Sequence, residues 1–144
     1  MYSSTYCLLT FLLVGTSVVQ AILQESEYGD KLGDLSKMLH GSCAALTGID
    51  EALIDRVKNG DIPDDPTLKK YAKCLLVSST AMGDDGTLNK EFIMDIMPAK
   101  LRSEVSKTFD VCAPIVGAAS GLENKAHTFL TCVRDENPDV FVFF

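Results

Sequence analysis

The sequence predicts an all-α fold: a single compact domain of about six short helices around an internal apolar cavity, held by two disulfides. Three observations carry this expectation. Apolar residues recur every three or four positions along most of the chain, the period of a helix buried on one side. Gly, Pro and capping residues fall between those stretches, where helices start and stop. Four cysteines remain once an apolar N-terminal segment is set aside, an even number suited to two bridges in a small domain.

Residues 1–21 contain no Asp, Glu, Lys or Arg, and the apolar run 7–19 is short for a bilayer span. It ends on Val19-Gln20-Ala21, with the small-x-small character of a signal peptidase site. Residues 1–21 therefore read as a secretory signal peptide, although the usual basic start is missing; a membrane anchor is the competing reading. Residues 22–144 form the expected domain, secreted and extracellular. They hold all 20 acidic and 13 basic residues of the 144, so the domain carries the full net charge of −7. An acidic surface with no basic stripe argues against nucleic acid, and no second apolar run is long enough for stable membrane insertion.

Tyr28, Leu32, Leu35, Leu39 and Cys43 form one apolar stripe of a first helix that Gly48 ends. Asp50 caps a second helix with Leu53, Ile54 and Val57, and Asn59-Gly60 stops it. Asp61 to Asp65 is a loop. Asp65-Pro66 supplies an N-cap and a first-turn proline for a third helix, whose face holds Leu68, Ala72, Leu75 and Ser79 with Tyr71 beside them. Gly83-Asp-Asp-Gly86 is a turn. Asn89 caps a fourth helix with Phe92, Ile93, Ile96 and Met97, ended by Pro98. A fifth runs from about Ala99 to Ala113 on the stripe Leu101, Val105, Phe109 and Cys112, and Pro114 to Gly121 is a loop. Ser120-Gly-Leu-Glu123 reads as a capping box for a sixth helix with Ala126, Phe129, Leu130 and Val133. The tail Val140-Phe-Val-Phe-Phe144 would be an aggregation hazard if exposed, so it should fold back and wall or plug a cavity.

Chemistry of an enzymatic kind is poorly supported. The chain has 2 His and no Trp, and neither His sits in a nucleophile elbow or a zinc-protease motif. His40-x-x-Cys43 is a weak metal pair, and Cys43 suits oxidation better; no metal or cofactor is expected. Gly83-Asp-Asp-Gly86 fails as a calcium loop, because aligning its glycine puts Phe92 where the bidentate Glu belongs. His127 can act as a pH switch or stand simply as a surface His beside Glu123.

The cysteine pattern and its punctuation resemble the insect pheromone- and general-odorant-binding protein family. The third family cysteine matches Cys74 in Lys70-Tyr-Ala-Lys-Cys74, and the sixth matches Cys132 in Phe129-Leu-Thr-Cys132. Cys43 and Cys112 fit the first and fourth. The segments Thr47-Gly-Ile-Asp-Glu51, Lys58-Asn-Gly-Asp-Ile-Pro63 and Asn137-Pro-Asp-Val-Phe141 are similar too, and in this order they are fairly specific. Lys70 and Glu123 stand where the second and fifth cysteines would be, which resembles the four-cysteine "Minus-C" branch. The family's pairing, carried over, implies bridges Cys43–Cys74 and Cys112–Cys132. Lys70 and Glu123 have opposite charges and can pair across the gap; alternatively Glu123 serves the capping box and Lys70 is solvated.

The resemblance implies a carrier that reversibly binds odorants, pheromones or other small lipophiles in a central apolar pocket, with a chemosensory receptor as a possible partner and a monomer or weak homodimer as the assembly. Burying roughly 400 Å² of apolar ligand surface is worth about 10 kcal/mol before costs, which leaves room for micromolar affinity. The expected lining is Leu53, Leu76, Phe92, Ile96, Leu101, Val105, Phe109, Phe129 and Phe141, with Leu75 and Leu130 as plain core. Tyr71, Ser78 and Thr128 are the expected sources of a single hydrogen bond. The rival expectation is a secreted helical module that presents a surface to a protein partner and has a filled interior.

Overall fold

A computed structural model describes residues 22–144. The proposed signal peptide, residues 1–21, lies outside the described residues. Among those described there are six α-helices: α1 (Gly29–Thr47), α2 (Glu51–Lys58), α3 (Pro66–Ser78), α4 (Lys90–Ile96), α5 (Arg102–Ala118) and α6 (Leu122–Glu136). Short 3-10 turns precede α1 (Glu25–Glu27) and α5 (Ala99–Leu101), and a third follows α6 (Pro138–Val140). There is no strand among the described residues, only an isolated antiparallel bridge between Met82 and Leu88 that closes the 83–86 turn. The all-α expectation holds.

The helix starts follow their capping chemistry. Asp50, Asp65 and Asn89 each accept a hydrogen bond from a first-turn amide, of Ala52, Leu68 and Phe92 respectively. Gly48 ends α1 at φ +66°, a left-handed conformation that glycine adopts without a Cβ clash.

Two local expectations are corrected. α5 does not stop at Ala113 but runs through Pro114 to Ala118. Pro114 lies on the exposed face, so the carbonyl it leaves unpaired in the preceding turn faces water. Beyond it Val116 is buried, and Lys125 Nζ donates to the carbonyls of Val116 (3.1 Å) and Gly117 (2.9 Å), which satisfies the helix end. Nor does Ser120 cap α6. The N-cap is Gly121, with no side-chain cap, and Glu123 is engaged elsewhere: its Oε1 lies 3.0 Å from Lys73 Nζ on α3. That contact also replaces the imagined Lys70–Glu123 pair. Lys70 points to solvent, one turn position away from the face that meets α6.

Both bridges form as the family pattern implies, Cys43–Cys74 and Cys112–Cys132, each with Cα atoms 5.8 Å apart. The first joins α1 to α3 and the second joins α5 to α6. Between these stapled pairs, α6 packs along α3 without a covalent link. One apolar cluster gathers α1, α2, α3 and α6 around Ile54, Leu68 and Tyr71, and the other gathers the start of α1 with α4 and α5 around Leu32, Ile93 and Phe109. The tail belongs to both clusters: Phe141 and Phe143 join the first and Val140 the second.

Closed loops of this size contribute about 3–4 kcal/mol per bridge through the unfolded chain. The partly exposed Lys73–Glu123 pair contributes about 0–1 kcal/mol. Replacing Cys112 and Cys132 by Ala should therefore lower unfolding free energy by about 3 kcal/mol in urea titrations. E123Q should change it by less than about 1 kcal/mol.

Candidate ligand-binding site

An apolar cavity of about 130 Å³ lies where the two clusters meet. The helical stripes explain its walls. α1 contributes Leu32, Leu35 and Leu39, and α3 contributes Ala72, Leu75 and Leu76. α4 adds Ile93 and Ile96, α5 adds Val105, Thr108 and Phe109, and α6 adds Phe129, Leu130 and Val133. The tail, Val140 to Phe144, supplies the remaining side. No wall side chain is titratable, and the only polar ones are those of Ser79 and Thr108.

The tail is held by burial and by two phenols. Val140, Phe141 and Phe143 are almost fully buried, in line with the expectation that the run folds back. Tyr28 donates its hydroxyl hydrogen to the Phe143 carbonyl at 3.1 Å, and Tyr71 donates to the Phe144 backbone oxygen at 2.5 Å. Since Tyr71 spends its one hydrogen there, His40 Nδ1, 2.9 Å away, donates to the phenol oxygen. His40 Nε2 lies 3.1 Å from Glu51, so a polar chain runs from α2 through α1 and α3 to the tail. The Tyr71 ring also meets Phe143 edge-on, with centroids 5.8 Å apart.

Six of the expected lining residues stand around the cavity: Leu76, Ile96, Val105, Phe109, Phe129 and Phe141. Leu75 and Leu130, read as plain core, are also walls. Six others do not line it. Leu53 is half-buried against the cluster that α2 shares with α1, α3 and α6, away from the cavity walls. Tyr71 is buried behind the tail with its hydroxyl already committed. Ser78 is exposed and faces the Cys74 sulfur at 3.8 Å. Phe92 and Leu101 are half-buried on the rim of the α4–α5 cluster, and Thr128 is half-buried on α6 away from the walls. Thr108 was missed, although it falls on the same α5 stripe as Val105, Phe109 and Cys112. His127 does not sit beside Glu123 as a free surface group: its Nε2 donates to the Pro63 carbonyl at 2.9 Å and ties α6 to the loop before α3.

Outside the cavity, Lys90 Nζ lies 5.4 Å over the Phe109 ring and pairs with Asp110 at 2.6 Å. Cys43 is committed to its bridge and cannot ligate a metal beside His40. No group of three or more potential metal ligands occurs among the described residues. No helix among them is long and apolar enough to cross a membrane.

Comparison with known proteins agrees with this architecture. The PBP/GOBP family model matches residues 25–136. General odorant-binding protein 19a of Drosophila melanogaster is 27% identical over 147 residues, covering 92% of this chain and 96% of the relative. The B1 protein of Tenebrio molitor is 21% identical, covering 85% and 89%. Among solved structures, odorant binding protein 5 of Apis mellifera superposes with a TM-score of 0.69 at 24% identity, over 80% of this chain and 96% of that one. An odorant binding protein of Locusta migratoria gives 0.67 at 23% identity, over 75% and 83%.

Two predictions follow from how the tail is held. F141A should cost about 3–5 kcal/mol in chemical denaturation, the range for truncating a buried ring; a frayed tail would give almost nothing. The phenols set an alkaline limit. Burial pushes Tyr28 up to about 12 from 10, with Glu25 adding to the shift and the hydrogen bond to Phe143 opposing it; burial raises Tyr71 as well. The unfolded phenols ionise first, so the stability these groups contribute is complete below about pH 10 and is lost as pH rises through about 12. Helical circular dichroism in dilute urea should hold to about pH 10 and fall above it.

Proposed function

Because this chain belongs to the PBP/GOBP family, we propose that its central cavity is where it takes up and releases small apolar molecules. Members of this family are non-enzymatic carriers of hydrophobic ligands, and this chain is a carrier of that general kind, not an enzyme. The finer reading concerns the pocket. The observation that carries it is an unfilled space with uncharged wall side chains, contributed by α1, α3, α4, α5, α6 and the tail. A chain selected only for stability would fill such a space, since each unfilled Å³ costs about 24 cal/mol. Leu76, Ile96, Val105, Phe109, Phe129 and Phe141 are the side chains proposed to touch ligand.

Size limits what the cavity accepts as it stands. An engineered protein cavity of about 150 Å³ admits benzene, so about 130 Å³ suits a molecule near one ring in size. Such a ligand buries roughly 250 Å² and gains about 6 kcal/mol before costs, short of micromolar binding. Burying about 400 Å² requires the walls to yield. Met97 and the half-buried Phe144 are the wall groups best able to move aside.

Secretion after removal of residues 1–21, placement in the four-cysteine branch, a chemosensory receptor as recipient and a monomeric or weakly dimeric state belong to the same proposal. The rival reading, a module with a filled interior that presents a surface, is not favoured. Among the described residues the large apolar ones that are exposed, Met38 and Leu46 on α1 and Val111 and Ile115 on α5, are too few to make a broad patch.

A fluorescent apolar probe should bind the oxidised protein and be displaced by medium-chain lipophiles at about micromolar concentration. V105F, which projects into the cavity, should weaken probe binding about ten-fold or more. A probe that neither binds nor is displaced would rule the pocket out.

A further inference from the structure

The cavity wall carries two polar side chains, and they are not equivalent. Ser79 is spent: its hydroxyl donates to the Leu76 carbonyl at 3.1 Å and accepts from the Ala81 amide at 3.3 Å. Thr108 is only 6% exposed, lies on the wall between Val105 and Phe109, and makes no hydrogen bond with any described residue. Its hydroxyl is not sealed in the packing either, because no fully enclosed side-chain oxygen lacks a partner among the described residues. A helical threonine ordinarily returns its hydroxyl to a carbonyl of the preceding turn, as Thr47 and Thr131 do at 2.7 Å and 2.9 Å. Thr108 does not, and a buried unpaired hydroxyl costs free energy that an apolar residue of equal shape would avoid.

Charge narrows the ligand further. The walls hold no cation, and the nearest ammonium named above, Lys90, lies over Phe109 and is already paired with Asp110. A carboxylate placed inside would be desolvated without a partner, at prohibitive cost.

Resting on the carrier reading above, we propose that Thr108 is the specificity-determining residue of the cavity and selects neutral molecules of about one ring in size that carry a single oxygen function. The hydroxyl can donate to a ligand carbonyl or ether and can accept from an alcohol. Sites built around a buried polar group discriminate against analogues that lack the matching one, because the group is then left unpaired.

Benzyl alcohol and ethylbenzene test this directly: they share shape and differ by a hydroxyl in place of a methyl. Affinities of the oxidised protein for both are measured by calorimetry, with benzoate at neutral pH as the charged control. T108V should shift the affinity ratio about five-fold toward ethylbenzene, and T108S should restore the wild-type ratio. T108V should also melt no lower than wild type, since it removes no internal hydrogen bond; a clear drop would mean the hydroxyl is bonded within the protein and would overturn the assignment. If both neutral probes bind and T108V leaves their ratio unchanged, the proposal for Thr108 is wrong while the carrier reading survives. Binding of benzoate as tight as that of benzyl alcohol refutes the proposed ligand class. If neither neutral probe binds wild type while the fluorescent apolar probe does, the proposed ligand class is wrong and the carrier reading survives; if the fluorescent probe also fails to bind, the carrier reading falls and this inference with it.

Discussion

The fold depends on covering an apolar hollow that its helices alone leave open. An apolar space open to water is wetted and contributes nothing; closed, it stays dry. Closure falls to the last five residues, Val140 to Phe144, which begin at the end of the last 3-10 turn. Phe141 and Phe143 press into one cluster and Val140 into the other, while Tyr28 and Tyr71 fix the main-chain oxygens of Phe143 and Phe144. Tyr28 immediately precedes α1 and Tyr71 lies on α3, so the tail is anchored to the two helices joined by Cys43–Cys74.

The hollow has a thermodynamic consequence. Leaving about 130 Å³ unfilled costs about 3 kcal/mol at 24 cal/mol per Å³. One disulfide contributes a similar amount by restricting the unfolded chain. The bridges therefore offset what the void removes, and a ligand that fills the void returns part of that loss as binding energy. Their placement matters as much as their number. α1 is tied to α3 and α5 to α6, while the α3–α6 seam between the two pairs is held by packing and by the Lys73–Glu123 contact. Leu76 on one side of that seam and Phe129 on the other are both cavity walls. Any opening along it would change the cavity with no covalent bond broken.

Most of the architecture was legible because it rests on local rules. Caps at Asp50, Asp65 and Asn89, the stop at Gly48 and the apolar stripes all follow from short-range chemistry. The burial of the tail followed from its composition. The failures came where a distant partner decides. Pro114 looks like a helix end until Lys125, eleven positions on, is seen to satisfy the carbonyls of Val116 and Gly117. Ser120 and Glu123 have the spacing of a capping box, but Glu123 meets Lys73 across the α3–α6 seam. The wall residues were half legible for the same reason. Periodicity tells which side of a helix is buried, not what that side faces: the stripe of α2, Leu53 included, packs into the first cluster and contributes no cavity wall. Thr108 carried a usable signal, a hydroxyl within the buried stripe of α5, but its lack of a partner is visible only in three dimensions.

The most direct test of the hollow is xenon uptake, because xenon fits a dry apolar cavity of this size and needs no specific contacts. Xenon NMR of the oxidised protein should give one saturable site, lost on competition with an apolar ligand and lost again in V105F. A chemical shift that varies only linearly with protein concentration, as for contact with an ordinary surface, would mean that the interior is filled and that no carrier cavity exists.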